Sequence, residues 1–318
     1  MTQSFWADGA GPPVIAFGGN ALLPDAADPG SSESNAAAFA EVVARLMPSD
    51  TGMLLVHGNG PQVGAALLRN EAGASEVVPS PLDVLVADTQ GSIGYLLGRS
   101  LRNAVTPGGR GLDVATVVSQ VVVDAADPSM ENPTKPVGPF YKADEGAALA
   151  LERGWTMVEV AGRGVRRVVA SPPPLEVVEI DAALALARGG HVVITGGGGG
   201  IPVARDGENL FGVEGVIDKD RTASLVARSV DARGFVIFTE VGHASRGFGT
   251  SAEEPLLDLT VAEAQQLLDG GEFPPGSMGP KVESCIAYAT ATGRTAVITN
   301  VASLDPALDG DEGTRIHP

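Results

Sequence analysis

Three lysines occupy unusual positions in a chain where lysine is rare. Lys135 lies between Thr134 and Pro136 in a proline-rich stretch, and Lys219 and Lys281 each stand where a predicted helix begins. A lysine at a helix N-terminus opposes the positive end of the helix dipole, which is mildly unfavourable unless an anion binds there. These positions favour an anion site, although solvated surface lysines are the plainer alternative.

Glycine-rich turns directly follow three apolar stretches. The turns are Gly18-Gly19-Asn20, Gly58-Asn59-Gly60 and the run of five glycines that includes Gly197 and Gly198. Glycine lets backbone N–H groups approach an anion closely, and the N-terminus of a following helix adds partial positive charge. Each turn alone could be glycine-rich for steric reasons, but three together indicate one phosphate-binding cleft. Their spacing matches neither the Walker pattern nor the dinucleotide-binding pattern.

Acidic and guanidinium side chains accompany the lysines. Asp218 and Asp220 flank Lys219 and could hold magnesium or orient the lysine, or they could simply cap the helix. Asp218 is the better functional candidate of the two. Arg163, in the cluster that continues with Arg166 and Arg167, could cover the cleft or serve only as a solubilising charge. Phosphoryl transfer needs mainly positioning and charge neutralisation, so lysines, glycine turns and one acid suffice.

Composition excludes several classes of protein. A net charge of -18 and a pI near 4.5 disfavour binding to nucleic acid or to an anionic membrane. Cys285 is the only cysteine, so an intrachain disulfide and a cysteine zinc cluster are excluded. No apolar run approaches the ~20 residues that span a bilayer, and no secretion signal is visible, so the cytoplasm is expected. The four histidines show no hydrolase or metal-ligand spacing.

The elements that must position these residues alternate along the chain. The 318 residues, 44% of them hydrophobic, suffice for one large α/β domain. Alternating strands and helices predict a mostly parallel sheet covered on both faces, with ligands beyond the carboxyl ends of its strands. Strands are predicted at residues 14–17, 53–56, 113–123, 156–160, 166–169, 191–195, 235–239 and 295–299, and helices at residues 33–47, 82–101, 144–153, 180–188, 261–268 and 282–290.

A proline-rich region from about residue 124 to 178 interrupts this alternation. It holds a short helical pattern between strand-like stretches, which argues against disorder. We therefore predict an inserted, protruding subdomain rather than a long surface loop, because loops of this length are usually functional or disordered.

Several motifs in sequence order resemble those of carbamate kinase, within the amino acid kinase superfamily. The resemblance covers nearly the whole chain, and its most specific part is the insertion. The motifs are Phe17-Gly18-Gly19-Asn20-Ala21-Leu22, His57-Gly58-Asn59-Gly60-Pro61-Gln62, Thr89-Gln90-Gly91-Ser92, Asn132-Pro133-Thr134-Lys135-Pro136, Gly162-Arg163-Gly164, Val216-Ile217-Asp218-Lys219-Asp220 and Pro275-Gly276-Ser277-Met278.

The resemblance implies a three-layer αβα sandwich, usually in a homodimer, that interconverts carbamoyl phosphate plus ADP with carbamate plus ATP, using Mg²⁺ and belonging to arginine metabolism. The N-terminal half, to about residue 190, and the insertion would bind the carbamoyl group, and residues 191–318 the nucleotide. By the same resemblance, the catalytic residues would be Lys135, Lys219, Lys281 and Asp218. The substrate contacts would be Gly18, Gly19, Asn20, Gly58, Asn59, Gly60 and Arg163. The nucleotide contacts would be Gly197, Gly198, Lys219, Phe248, Met278 and Lys281.

One segment departs from the family pattern. Gly242 stands where an acid is usual, Gly247 where an asparagine is usual, and Phe248 where a tyrosine or tryptophan is usual. Two alternatives therefore stay open beside carbamate kinase. One is a kinase of another small carboxylate or carbamate-like acid, and the other is a catalytically silent ligand-binding relative, which retention of all three lysines disfavours.

Overall fold

The computed structural model describes residue 6 and residues 11–18, 29–48, 50–105 and 113–318; for residues 29–32, 105, 305, 308 and 309 it describes the backbone alone. Within these residues, no helix combines the length and the apolar character needed to cross a membrane.

Strands and helices alternate through most of the chain. The strands are β1 (Val14–Phe17), β2 (Met53–His57), β3 (Val114–Thr116), β4 (Gln120–Val122), β5 (Lys135–Tyr141), β6 (Thr156–Val160), β7 (Gly164–Val169), β8 (Glu176–Val177), β9 (Val192–Ile194), β10 (Ile201–Asp206), β11 (Asn209–Gly212), β12 (Phe235–Phe238), β13 (Ala244–Arg246), β14 (Glu254–Leu256), β15 (Asp258–Thr260), β16 (Ala296–Thr299) and β17 (Thr314–His317). The helices are α1 (Pro29–Leu46), α2 (Gly60–Ala72), α3 (Leu82–Val105), α4 (Pro128–Glu131), α5 (Ala143–Arg153), α6 (Ile180–Arg188), α7 (Lys219–Ser229), α8 (Val261–Asp269), α9 (Met278–Thr292) and α10 (Leu304–Asp309).

An eight-stranded sheet forms the centre of the described structure, in the order β15-β17-β16-β12-β1-β2-β9-β3. All neighbouring pairs run parallel except β16 and β17. In register, Phe17 lies beside Phe238 and His57, so these strands end together at one edge. At that edge Gly18, Gly58 and Thr239, which follow β1, β2 and β12, line one cleft.

Two hydrophobic cores cover the two faces of this sheet. Val14 and Ala16 of β1 face one core, which α6, α7 and α9 complete. Ile15 and Phe17 face the other, which α1 and α3 complete. Because alternate residues of a strand point to opposite faces, an almost continuously apolar strand such as β1 is what a doubly covered parallel sheet requires. The predicted α/β sandwich with a mainly parallel sheet is confirmed.

Three smaller sheets accompany the central one in the described residues, and one of them is the two-stranded pair of β13 and β14. Strands β11-β10-β4-β8 form a four-stranded sheet, and β5-β7-β6 form an antiparallel three-stranded sheet within the predicted insertion. Helix α5 packs on β6 and β7; Gly146 of this helix has no side chain, and a Cβ there would meet Val165 at 2.2 Å. The limits of the insertion at about 124 and 178, and the division of the chain near 190, stay predictions.

The prediction of one strand over residues 113–123 was wrong. The segment forms β3, in the central sheet, and β4, in the four-stranded sheet. Between them, the hydroxyl of Ser119 bonds the carbonyl of Val117 at 2.8 Å and contacts Thr195 at 2.8 Å. These local hydrogen bonds favour a change of direction, which a run of β-branched residues does not reveal.

Candidate active site

A cleft of about 550 Å³ opens at the edge where β1, β2 and β12 end. It collects residues from segments that are far apart in the sequence. Its lining includes Gly18, Gly58, Asn59, Gly60, Pro61, Lys135, Gly198, Asp218, Lys219, Asp220, Thr239, Glu240, Val241, Ser245, Phe248, Phe273, Ser277, Met278 and Lys281.

The three lysines singled out by sequence all line this cleft. Lys135 is the first residue of β5, Lys219 is the first residue of α7, and Lys281 lies in the first turn of α9. The chain has only one other lysine, Lys142, which precedes α5 on the insertion and is exposed. The cleft therefore collects three of the four lysines of a strongly acidic chain.

Two aspartates hold these lysines in place. Asp218 caps α7 by accepting a hydrogen bond from the Asp220 amide at 2.9 Å, and its second oxygen accepts one from Lys135 at 3.0 Å. Asp220, only 3% exposed, lies 2.5 Å from Lys219 and 2.8 Å from Lys281 through its two oxygens. Asp218 therefore both caps the helix and pairs with a lysine. The sequence left these two roles open as alternatives.

Burial and ion pairing shift the pKa values of Asp218 and Lys219. Burial works to raise the pKa of Asp218, but the nearby Lys135 and Lys219 and the Asp220 amide outweigh it and lower that pKa to about 2. Burial lowers the pKa of Lys219, with the repulsion of Lys281 in the same direction, while the Asp220 carboxylate opposes the shift. Asp218 is therefore ionised at neutral pH and holds Lys135 as an ion pair.

The glycine turns meet in the same region. Gly18, Gly58, Gly60 and Gly198 line the cleft, as does Asn59, while Gly19 and Asn20 lie outside the described residues. Pro61 lies in the first turn of α2, where a proline's missing N–H costs no helical hydrogen bond.

Gly197 lies directly behind the cleft, where the second and third turns pack together. A Cβ on Gly197 would come within 2.3 Å of His57, and one on Gly198 within 2.3 Å of Asn59. Gly198 also has a φ of +70°. Glycine is required at both positions by close packing, and at Gly198 by backbone conformation as well.

His57 is a buried histidine beneath these turns. It is 0% exposed, its Nδ1 lies 3.0 Å from the Gly58 carbonyl, and its Nε2 has no protein partner among the described residues. Burial, with a smaller contribution from the positive charge of Lys219, lowers the pKa of His57 to about 4. The ring is therefore neutral at pH 7, with Nδ1–H as the donor to the carbonyl.

Known proteins similar to this chain point to one family. The family model described as the Amino acid kinase family matches residues 12–300. The carbamate kinase of Trichomonas vaginalis is 42% identical over 96% of this chain and 99% of its own length, and that of Thermococcus kodakarensis is 42% identical over 95% and 98%. A solved structure, carbamate kinase from Giardia lamblia bound to AMP-PNP, superposes with a TM-score of 0.90 at 38% identity, covering 97% of this chain and 99% of that one. The chain belongs to the carbamate kinases of the amino acid kinase family. It is therefore a phosphotransferase.

Besides Gly197, one more predicted site residue of this kinase, Arg163, lies away from the cleft lining. The guanidinium of Arg163 is exposed and stacks on the ring of Phe140 at 4.1 Å, with Arg166 also near that ring at 5.1 Å. Arg167 is buried, stacks on Trp155 and pairs with Glu214. A direct role for Arg163 in substrate binding stays a prediction.

The nucleotide side predicted for this kinase forms one wall of the cleft. Phe248 and Met278, both predicted, line it. Sequence reasoning missed the lining residues Thr239, Glu240, Ser245 and Phe273, and it ranked Asp220 below Asp218. The signal for Asp220 was its place one residue after Lys219, but only the packing of α7 against α9 shows that its carboxylate reaches Lys281 too.

Proposed function

We propose that this kinase catalyses reversible phosphoryl transfer between carbamoyl phosphate and ADP, forming carbamate and ATP. The observation that supports it most is the convergence of Lys135, Lys219 and Lys281 on one cleft, each paired with a buried or half-buried aspartate. The relatives named carbamate kinase, one of them solved with AMP-PNP, support the same substrates and the use of a nucleotide.

In this proposal the transfer is direct. An oxygen of the ADP β-phosphate bonds to the phosphorus of carbamoyl phosphate while the bond from phosphorus to the carbamate oxygen breaks, and carbamate leaves as an anion. Lys219 and Lys281 neutralise the nucleotide phosphates and the transferred group, and Lys135 contacts that group from the insertion. Asp218 orients Lys135. Preorganised charge of this kind is the main catalytic contribution in phosphoryl transfer.

The two substrates would bind on opposite sides of the cleft. The carbamoyl contacts that we propose, in the N-terminal half and the insertion, are Gly18, Gly19, Asn20, Gly58, Asn59, Gly60 and Arg163. The nucleotide side, in residues 191–318, includes Gly197, Gly198, Lys219, Phe248, Met278 and Lys281. Glycine amides and lysines supply the positive charge on both sides. This charge has to be local, because the chain as a whole is acidic.

We propose that magnesium enters the cleft together with the nucleotide. The described residues contain no group of three or more His, Cys, Asp or Glu side chains arranged around a metal position. Both oxygens of Asp218 and both of Asp220 are already hydrogen-bonded, so the centre of the cleft does not fit a resident ion. Mg²⁺ characteristically keeps several waters and binds through substrate phosphates, and we propose that it arrives as the metal complex of ADP or ATP.

We also propose that the kinase is a homodimer in the cytoplasm. Val84 and Tyr95 of α3 are apolar or aromatic and are 42% and 66% exposed. They are eleven residues apart, which is three helical turns, so they share one face of the helix. A second subunit on this face would cover them. A single, buried cysteine is in keeping with the cytoplasm.

The experiment is coupled ATP formation from ADP and carbamoyl phosphate, run beside acetyl phosphate and other small acyl phosphates. We expect rapid ATP formation from carbamoyl phosphate and little from the others. Preference for another acyl phosphate would favour the kinase of a different small acid, and no turnover with any would favour the silent relative. Exchange of label between ADP and ATP without carbamate would contradict direct transfer, because such exchange is typical of a covalent intermediate.

A further inference from the structure

Gln90 is a buried polar residue of α3 that lies behind the cleft, away from its lining. It is 1% exposed, and all its side-chain hydrogen bonds are to backbone groups of two loops. Its Nε2 donates to the carbonyls of Ser119 at 3.1 Å and Gly197 at 2.9 Å, and its Oε1 accepts from the Ser119 amide at 2.8 Å. A neutral amide can satisfy two carbonyls and one N–H in this way, because it is both donor and acceptor.

The bond to Gly197 determines where the next amide points. In a trans peptide the C=O and N–H groups point in opposite directions. The Gly197 carbonyl accepts from Gln90 on the far side of the turn and from the Gly200 amide at 3.0 Å. The N–H of Gly198, in the same peptide unit, is therefore directed away from Gln90. Gly198 lines the cleft, and in the described part of the chain its N–H has no protein acceptor.

Neighbouring side chains hold the same turn from other directions. The Gly196 amide donates to the hydroxyl of Ser119 at 3.0 Å, so Ser119 is tied both to the turn and to Gln90. On the opposite side, the Asn59 side chain lies against Gly198 and donates to Thr89 at 2.9 Å. The turn is therefore held by Gln90 and Ser119, which lie outside the cleft lining, and by Asn59, which belongs to it.

We propose that Gln90 is a positioning residue that aims the Gly198 N–H at a phosphate group of the bound nucleotide, acting through the Gly197 carbonyl. The identity of the ligand rests on the proposed function, whereas the orientation of the amide rests on the hydrogen bonds of the turn alone.

Gln90→Glu tests this directly, since it keeps the size of the side chain and replaces its NH₂ donor with an oxygen. That oxygen would face the carbonyls of Ser119 and Gly197, and the peptide would turn. We expect the dissociation constant for ADP, measured by calorimetry, to rise about tenfold. Adenosine, which has no phosphate, should keep its affinity in a competition measurement.

Tyr288→Phe is the matched control. It removes a buried hydrogen bond of 2.8 Å, from Tyr288 to the Ala232 carbonyl, in a part of the core remote from the turn. It should lower thermal stability while leaving ADP and adenosine binding unchanged. If Gln90→Glu does not fold, Gln90→Met, which has a similar size and no amide donor for the Gly197 carbonyl, is judged by the same two affinities.

Unchanged ADP affinity in the folded variant would overturn the proposal. Equal weakening of ADP and adenosine would also overturn it, because that pattern indicates a general structural role. Both affinities are measured without turnover, so a failure of the wild-type chain to form ATP would refute the proposed function and leave this test intact.

Discussion

Asp220 accepts a hydrogen bond from Lys281 at 2.8 Å, and its other carboxylate oxygen lies 2.5 Å from Lys219. One nearly buried carboxylate thus joins the first turns of two helices, α7 and α9. Without it, two ammonium groups would lie close together at the positive ends of those helices. The arrangement keeps both lysines directed into the cleft before any phosphate binds.

Asp220→Asn should therefore impair catalysis strongly, although the two side chains have nearly the same size. The amide keeps the shape but removes the charge that offsets two lysines, so their positions shift and the fold loses stability. We expect turnover to fall at least a hundredfold, which corresponds to the loss of about 3 kcal/mol of preorganised charge. Steady-state ATP formation measures this, and thermal unfolding with and without ADP shows whether nucleotide phosphates restore stability.

Asp231→Asn is the matched control for that variant. Asp231 pairs with Arg294 at 2.5 Å, and its side chain is 56% exposed, so its removal should have little effect on turnover. Equal turnover in Asp220→Asn and Asp231→Asn would show that Asp220 does not organise the lysines.

The neutral, buried His57 predicts a loss of stability in mild acid. Its folded-state pKa is about 4, against an ordinary value of 6.5. Below pH 6.5 His57 is protonated in the unfolded chain, whereas in the folded chain it stays neutral until about pH 4. The free energy of unfolding should therefore be highest above pH 6.5 and decrease between pH 6.5 and 4, by on the order of 3 kcal/mol. Chemical denaturation across this range measures it.

His57→Gln should flatten that pH dependence, because glutamine does not titrate. The control is His191→Gln, at a half-exposed histidine near Asp113. The depressed pKa of Asp218 acts in a separate window, with stability lost as pH falls from 3.8 towards 2. The same slope between pH 6.5 and 4 in wild type and His57→Gln would contradict this explanation.

The ion pair between Lys135 and Asp218 connects the insertion to the nucleotide side of the cleft at 3.0 Å. We predict that this pair opens when substrate binds and that the insertion moves as a lid. Hydrogen exchange of residues 124–178 should change on adding ADP with carbamoyl phosphate, while helix α6 serves as the internal reference. Unchanged protection throughout the insertion would count against a lid.

By the family resemblance, residues 240–249 would border the adenosine of the nucleotide, so altered nucleotide binding is expected from Gly242 and Gly247. If two hydrogen bonds to the base or ribose are missing, affinity should be roughly thirtyfold weaker than in relatives that have them. Calorimetry with ADP, GDP and CDP tests affinity and selectivity. Tight binding with a strong preference for ADP would show that residues 240–249 do not recognise the base as supposed.

Gly242→Asp offers the reverse experiment. A Cβ at this position would lie 3.5 Å from the Ser303 hydroxyl and 3.7 Å from the Asn300 amide group, which is ordinary contact, so a side chain fits. At Gly247 the φ of +59° disfavours one. Stronger ADP binding in Gly242→Asp would support the role of the missing acid.

Much of the fold could be predicted from local patterns. Apolar runs and their periodicity alone predict strands β1, β2 and β12 and helix α6. Asp218, as a capping residue, predicts the helix start at Lys219. The ligand edge followed from the rule that parallel strands present their carboxyl ends together.

The residues that sequence reasoning missed depend on contacts between distant segments. Glu240 and Ser245 enter the cleft because the chain turns back after β12 into the β13–β14 hairpin, whose strands are only three residues long. The change of sheet at Ser119 depends on side-chain hydrogen bonds to Thr195, 76 positions away. No local pattern encodes such partners.

The central claim is that the lysines of this cleft carry out the transfer. The most direct measurement is turnover of Lys219→Ala and Lys281→Ala beside Lys142→Ala, which removes the one lysine outside the cleft. We expect about a hundredfold loss in each of the first two, with the fold retained, and wild-type turnover in the third. Near-wild-type turnover in both Lys219→Ala and Lys281→Ala would contradict the account.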